Sequence, residues 1–321
     1  MLFISSNSND PYINLALEEY LIYNKEDEVC VLWQNSPAII VGKNQNTMAE
    51  IDYEYVTENK IPVVRRLSGG GTVFHDLGNL NFTYIVNKGE FGDYVGFTKT
   101  LRDYINSLGA HAEMSGRNDV LVEGRKISGN AQYLWKNRLL HHGTVLINAD
   151  LSSLAAALRP DESKIQSKGI KSIKSRVANL SEFIQISTGD FRSGFERAIK
   201  AEGGVQDYTL SHDEWNKVLQ LADEKYRTYE WCFGYSPRYS FHKKERFAAG
   251  GVEIFMDIKD GIIEDIKIFG DFFTQKGVDG LADILKGTPH EYESLSKIIS
   301  NVEIDAYISG LKKEEFLSCM I

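Results

Sequence analysis

The chain contains very little cysteine. Its three residues, Cys30, Cys232 and Cys319, lie far apart among 321 and form no CxxC pair. That pattern excludes a disulfide framework and a thiolate metal site, and it suits a reducing cytoplasm. No stretch approaches the roughly 18–20 apolar residues of a membrane helix. The first residues, MLFISSNSNDPY, show neither a basic n-region nor a long apolar stretch, so no secretory signal is expected. Net positive charge is missing too: a formal charge of −9 argues against non-specific nucleic-acid binding. No Gly-Lys-Ser/Thr closes a Walker A loop, and no GxGxxG opens a helix, so neither nucleotide fingerprint is present. Internal repeats and low-complexity tracts are absent. What remains is an ordinary globular composition, 42% hydrophobic and 25% charged, long enough for a large domain with a small one, or two of medium size.

The stretch that organises this chain is Arg65 to Asp76, RRLSGGGTVFHD. Apolar runs precede it (Ile61 to Val64) and follow it (Leu80 to Val86), so the glycines join two strands. Consecutive glycines admit positive φ and close approach of a ligand to the main chain. Exposed N–H groups there favour an anion, and Arg65 and Arg66 add charge. The glycines alone fit an ordinary hairpin loop equally well. The arginines on one side and His75-Asp76 on the other tilt the balance towards a ligand loop.

Asp10-Pro11 caps a helix expected over Tyr12–Lys25. Strands are expected at Val29–Trp33 and Ala38–Val41, followed by a polar loop, Gly42 to Asn46. A helix over about Gly96–Leu108 ends at Gly109. Short β patterns fill 111 to 147, including a strand over Leu139–Ile147. Asp150 caps a helix stopped by Pro160. A basic loop spans Lys164–Arg176, and an ordered segment, Val177–Phe183, follows it. Two helices are expected at about Asp190–Ala201 and Asp213–Tyr229. Residues Glu230–Arg246 read as a linker. Beyond it stand a hairpin, Gly251–Ile258 with Ile262–Phe269, and a helical tail over roughly 276–318.

Several residues are candidates for chemistry. Lys126, in GRKISG, can present a point charge to a phosphate or carbonyl oxygen; taken alone it reads as a solvated loop lysine. Asp119, beside Asn118, can supply oxygen to Mg²⁺; taken alone it is a turn residue. His141 and His142 on one strand point to opposite faces, so they do not share a zinc ion. The basic loop Lys168–Arg176 could close over a phosphate-bearing ligand or be a solvated charge run. No cysteine sits in a nucleophile motif.

Together these stretches resemble the lipoate–protein ligase A family, grouped with biotin ligases and lipoyl or octanoyl transferases. The matching segments are RRLSGGGTVFHDLGNLNFTYIV (65–86), SGRNDVLVEGRKISGNAQY (115–133), HHGTVLINADLSSL (141–154) and KGIKSIKSRVANLSEF (168–183), with DPYINLALEE (10–19) ahead of them. Four motifs in order are far more specific than any one of them. The resemblance covers essentially the whole chain. It implies an α+β fold: a large mixed domain with a mostly antiparallel sheet over 1–240, and a small α+β domain over 246–321.

The resemblance also implies a two-step reaction. Lipoate and Mg-ATP form lipoyl-adenylate and pyrophosphate, and the acyl group then passes to a lysine of a lipoyl carrier domain. Lys126 is implied as the catalytic residue and Asp119 as the Mg²⁺ ligand. Arg66, Ser68, Gly70, Gly71, Thr72, Val73, Phe74, Asn79, Asn118, Lys126, His142, Lys168 and Arg176 are implied to bind ATP or lipoate. ATP and Mg²⁺ are the implied cofactors. The implied partners are lipoyl domains of 2-oxoacid dehydrogenase E2 subunits and glycine-cleavage H protein, with no nucleic acid or membrane and a monomeric state. Some relatives carry Arg where this chain has Tyr133, a departure near the expected acyl carboxylate contacts. Alternatives are a lipoyl or octanoyl transferase and an inactive lipoate- or carrier-binding protein. A biotin ligase lacks its GRGRxGRxW pattern here.

Overall fold

The computed structural model describes residues 1–116, 118–152, 157–158, 176–233, 241–259, 262–290 and 292–321. They form two compact units: Met1–Ile40, Ile51–Val64 and Val73–Thr228, and Val41–Glu50, Arg65–Thr72 and Tyr229–Ile321. Two segments of the expected first domain, 41–50 and the glycine loop, therefore pack within the second unit.

The first unit is built on an eight-stranded sheet ordered β11-β1-β2-β6-β10-β9-β8-β7. These strands are β1 (Leu2–Ser5), β2 (Val29–Trp33), β6 (Asn79–Asn87), β7 (Ala112–Ser115), β8 (Asp119–Val122), β9 (Arg125–Trp135), β10 (Arg138–Leu146) and β11 (Gln206–Asp207). Only β1 pairs in parallel, with β2 and β11; the other neighbours are antiparallel. A three-stranded sheet, β4-β3-β5, joins β3 (Ala38–Val41), β4 (Val63–Arg65) and β5 (Val73–His75).

One face of the large sheet carries a core that includes Leu80, Phe82, Tyr84 and Val145, covered by the helices Lys99–Ser107 and Thr188–Ala201. Phe191 and Phe195 fill it from the second of these helices. Each buried phenylalanine contributes about 1.5–3 kcal/mol relative to exposure. Packing there is close: a Cβ on Gly194 would lie 1.8 Å from the Tyr104 hydroxyl oxygen. The opposite face is served by the helix Pro11–Asn24, whose N-cap Asp10 accepts from the Tyr12 N–H at 2.8 Å and the Ile13 N–H at 3.3 Å.

The second unit contains an antiparallel sheet of β12 (Phe241–Phe247), β13 (Gly250–Lys259) and β14 (Ile262–Gly270). Helices Asp279–Leu285, Tyr292–Ser300 and Lys313–Ser318 contribute to its core, which includes Ile254, Leu281, Leu295 and Phe316.

Several expected elements change. The helix expected over Gly96–Leu108 is two, Tyr94–Phe97 and Lys99–Ser107. The helix expected to reach Tyr229 stops at Leu221 and continues as a π turn, Ala222–Tyr226. There Lys225 and Tyr226, adjacent in sequence, both reach the buried Glu19 carboxylate. The C-terminal part of the expected linker is strand β12. Residues 153–156 of the expected Asp150 helix, 159–175, which take in the basic loop up to 175, and 234–240 of the linker lie outside the described residues.

Candidate active site

Lys126 and Asp119 come together through a β-bulge. Antiparallel pairing runs Asp119↔Gly129 and Val120↔Ser128, then slips to Leu121↔Lys126. The extra residue is Ile127, which packs into the core with Val120 and Val122. Directly paired side chains share a face. Without the slip, Lys126 would pair with Val122 on the buried face; with it, Lys126 joins Leu121 and Asp119 on the other. Lys126 Nζ lies 2.8 Å from Asp119 Oδ1, and both side chains are about one-third exposed (34% and 28%). A Cβ on Gly129 would come within 2.8 Å of the same Nζ. Glycine there keeps the ammonium where the bulge puts it. The Lys126 carbonyl accepts from the Ala178 N–H at 2.9 Å, so the chain leaving the basic loop is tied to this strand.

His141 and His142 face opposite ways, as expected for consecutive strand residues. His141 is fully buried, stacked on Phe97 at 4.8 Å and hydrogen-bonded to Gln132 and Asn130. Burial, with His142 adding to it, holds its pKa well below the usual imidazole value. His142 faces the first helix, where its Nδ1 lies 2.9 Å from Glu18 Oε1. The indole N–H of Trp33 can only donate, so it gives its proton to Thr83 Oγ1 at 2.9 Å. Thr83 in turn donates to Glu18 Oε1 at 2.5 Å. With Glu18 accepting, His142 donates from Nδ1. Sheet register builds the same surface: Ala131, His142, Thr83 and Val31 form one row, and Thr144, Asn81 and Trp33 the next.

Asn79 is fully buried and donates its amide to Asn81 Oδ1 at 2.9 Å. Asn79 Oδ1 and Asn81 Nδ2 have no partner among the described residues. Either amide orientation leaves this pair with one donor group and one acceptor for an outside molecule. The half-buried Asn118 donates its amide to the Asn130 carbonyl at 2.6 Å, and Asn130 returns the bond to Asn118 O at 3.0 Å. This reciprocal clasp holds the turn before Asp119. Tyr133 is half-buried, its hydroxyl 2.8 Å from that of Tyr23. Arg176 is exposed, and Lys168 lies outside the described residues. Val73 and Phe74 are on β5, paired with Ile40 and Ile39.

The glycine loop belongs to the second unit. Its two arginines do different work. Arg65 is fully buried and donates to the carbonyls of Gly42, Lys43, Gln45, Trp231 and Cys232 and to Thr47 Oγ1. It acts as a strut. Arg66 curls under its own loop, donating to Ser68 Oγ at 3.1 Å, Gly69 O at 2.7 Å and Gly71 O at 2.9 Å. Gly70 has φ +93°, which favours glycine. Its N–H, expected to be open to an anion, instead donates to Phe272 O at 3.2 Å. Gly69 admits no side chain, because a Cβ would lie 2.4 Å from Phe272 O. Thr72 donates to Gln45 Oε1 at 2.9 Å.

The sequence reasoning missed Glu18 and Thr83. Their signal is a carboxylate set among Leu15, Leu17 and Leu21 of a helix buried along most of its length, and a threonine in an apolar strand. No group of three or more His, Cys, Asp or Glu residues able to hold a metal occurs among the described residues. No helix among them is long and apolar enough to cross a membrane.

Residues 10–200 match the lipoyl protein ligase A/B catalytic domain, and 236–320 match the bacterial lipoate protein ligase C-terminus. This defines a two-part acyl-protein ligase. The chain belongs to the lipoate–protein ligase family. It is 43% identical to lipoate-protein ligase LplJ of Bacillus subtilis, over 99% of both chains. It is 41% identical to lipoate–protein ligase 1 of Staphylococcus aureus, over 100% of both. Among solved structures it resembles Plasmodium falciparum LipL1 in complex with lipoate (TM-score 0.80, 27% identity, 99% of this chain and 97% of that one). A bipartite ligase described with its E2 lipoyl domain, from Thermoplasma acidophilum, matches with TM-score 0.63 and 28% identity, over 74% and 97%. A lipoate-protein ligase A bound with ATP matches with TM-score 0.61 and 25% identity, over 73% and 98%.

Proposed function

We propose that the chain activates lipoate with ATP and transfers the lipoyl group to a lysine of a lipoyl carrier domain. In the first step a lipoate carboxylate oxygen attacks the α-phosphorus of ATP, and the bond to pyrophosphate breaks. In the second, the carrier lysine's deprotonated amine attacks the carbonyl carbon, and AMP leaves. The observation that carries this is the Lys126 ammonium, held 2.8 Å from Asp119 on a bulged strand within the family's catalytic region. Bringing a carboxylate to a phosphate joins like charges, so a fixed cation stabilises the transition state more than a proton acceptor would.

Lys126 polarises the acid and neutralises the phosphoryl oxygens. Asn79, whose buried oxygen has no partner among the described residues, reads the nucleotide or the acid. His142, oriented by Glu18, lines the acyl side with Val73 and Phe74. Arg66, Ser68, Gly70, Gly71 and Thr72 shape the glycine loop for its ligand; Asn118, Arg176 and Lys168 complete the set. Asp119 would hold Mg²⁺, an ion that commonly binds through one or two carboxylates plus phosphate and water. Bound there, the ion would supply further charge neutralisation at the phosphates. A single carboxylate fits that mode better than an all-protein cage.

Lipoyl domains of E2 subunits are the proposed acceptors, supported by the archaeal neighbour, and glycine-cleavage H protein is a second. A cytoplasmic monomer, with a catalytic domain over 1–240 and an accessory domain over 246–321, completes the proposal. A cysteine-based transferase is disfavoured by the thiols themselves. All three are buried. Burial raises the pKa of each, to about 11 at Cys232, where Arg65 partly offsets it, and to about 12 at Cys319.

The test is lipoate-dependent exchange of labelled pyrophosphate into ATP by the purified chain with Mg²⁺. Exchange that requires lipoate and collapses in Lys126→Ala supports adenylation. A folded protein without exchange refutes it, and exchange that survives in Lys126→Ala refutes the role of Lys126.

A further inference from the structure

The polar turn Gly42 to Asn46 has no part in the activity described so far, yet it is built into the second unit with unusual care. Arg65 Nη1 donates to the carbonyls of Gly42 (3.0 Å), Lys43 (3.1 Å) and Gln45 (2.6 Å). The Asn44 carbonyl accepts from Gly270 N. The turn abuts the glycine loop so closely that a Cβ on Gly42 would lie 2.0 Å from Gly70 O. Gln45 Oε1 accepts from the Gly42 N–H and from the Thr72 hydroxyl, both at 2.9 Å. The Gly42 N–H can only donate, so the amide's orientation is fixed and its Nε2 faces away from both partners.

That Nε2, and Asn44 Nδ2 beside it, have no hydrogen-bond partner among the described residues, although Gln45 is fully buried and Asn44 is only 4% exposed. Buried donors almost always find an acceptor. Two in succession, on a turn braced by Arg65 and leaning on a ligand-type loop, point to an acceptor that arrives with the ligand. Arg65 is bound to this turn and Lys43 lies within it, both cationic. The carboxylate near the loop, Asp271, is ion-paired with Arg246 at 3.3 Å and accepts from the Gly251 N–H.

We infer that Asn44 Nδ2 and Gln45 Nε2 donate to an anionic oxygen of the substrate bound at the glycine loop, carried either by the nucleotide's phosphate or by the acid's carboxylate. This rests on the adenylating activity proposed above. Gln45 thus has two roles: its oxygen clasps Thr72, and its nitrogen meets the ligand.

Gln45→Glu separates them, because a carboxylate still accepts from Gly42 and Thr72 but replaces the donor with a negative oxygen. Pyrophosphate exchange is measured on the full chain with Mg-ATP and lipoate varied in turn, together with the ligand-free melting temperature. The expected result is a variant that folds, with a melting temperature lowered by the buried carboxylate, and a KM raised about ten- to hundredfold, as for a lost hydrogen bond to a charged group. A rise for ATP assigns the oxygen to phosphate; a rise for lipoate assigns it to carboxylate. Parental KM values for both substrates, with or without a lower kcat, overturn the inference. If Gln45→Glu does not fold, Asn44→Asp, which keeps the backbone bond to Gly270, carries the same two outcomes. Failure of the parent to exchange at all would instead refute the adenylating activity.

Discussion

Gly129→Ala should make the protein more stable and less active at once. Gly129 lies inside β9 and is not among the positive-φ glycines, so alanine suits its backbone. Replacing glycine by alanine at such a site adds about 0.4–1 kcal/mol, chiefly by restricting the unfolded chain. The new Cβ, however, would lie 2.8 Å from Lys126 Nζ and 3.0 Å from its Cε. The atoms that must give way are the far end of a flexible side chain, so the fold is spared and the ammonium is displaced. A misplacement near 1 Å can cost about a hundredfold in rate. The assay pairs urea unfolding with lipoate-dependent pyrophosphate exchange. A stabilised variant with a parental exchange rate would show that the ammonium's position does not limit the chemistry. A destabilised variant would show that the lysine does not absorb the clash.

Glu18→Ala should destabilise by about 2–4 kcal/mol, since Thr83 and His142 lose their buried acceptor, and Glu18→Gln should recover part of that in urea unfolding. Asp119→Asn should raise the Mg²⁺ concentration needed for half-maximal exchange while leaving the melting temperature near parental; unchanged Mg²⁺ dependence would remove Asp119 as the metal's ligand. At Glu214, burial raises the carboxyl pKa, but Lys25 and the Ser211 N–H, with Tyr208, outweigh it and lower it to about 2. A depressed folded pKa contributes stability that is present above the unfolded value, near 4.5, and lost as pH falls towards 2. Urea midpoints should therefore fall more steeply between pH 5 and pH 2 in the parent than in Glu214→Gln (pH limits set roughly by the two pKa values).

Much of the fold was legible because single residues dictate it. Asp10-Pro11 announces a helix start, and two histidines in a strand must part to opposite faces. The C-terminal hairpin is plain from its apolar alternation. Strand β12 was hidden because Lys243, Lys244, Glu245 and Arg246 occupy its middle, the composition of an edge strand guarding its open side. Strand β11, two exposed residues long, carries no pattern to find. Arg65 and Arg66 look equivalent in sequence, and only the chain's path sends one into a nest of carbonyls and the other beneath the glycines.

The site's deciding feature is the hardest to see in sequence. In a regular ladder continued from Val120↔Ser128, Lys126 would face Val122, and a lysine aimed into that core would have to be neutralised or expelled. One inserted residue reverses this. Ile127 and Ser128 both remain buried, while Lys126 crosses to the face of Asp119. The sequence GRKISG names the lysine but not the slip, because a bulge is a relation between two strands. Its mark lies in the partner: β8 places Val120 and Val122 in the core, and keeping Ile127 on that apolar face with Lys126 off it requires that Ile127 be taken up as a bulge. The bulge therefore has a consequence that can be separated from the lysine itself. Deleting Ile127 would remove the extra residue yet leave Lys126 paired with Leu121 on the face of Asp119, so pyrophosphate exchange should persist while urea unfolding reports the loss of a buried isoleucine. Loss of exchange in a folded deletion variant would show that the bulge does more than choose the lysine's face.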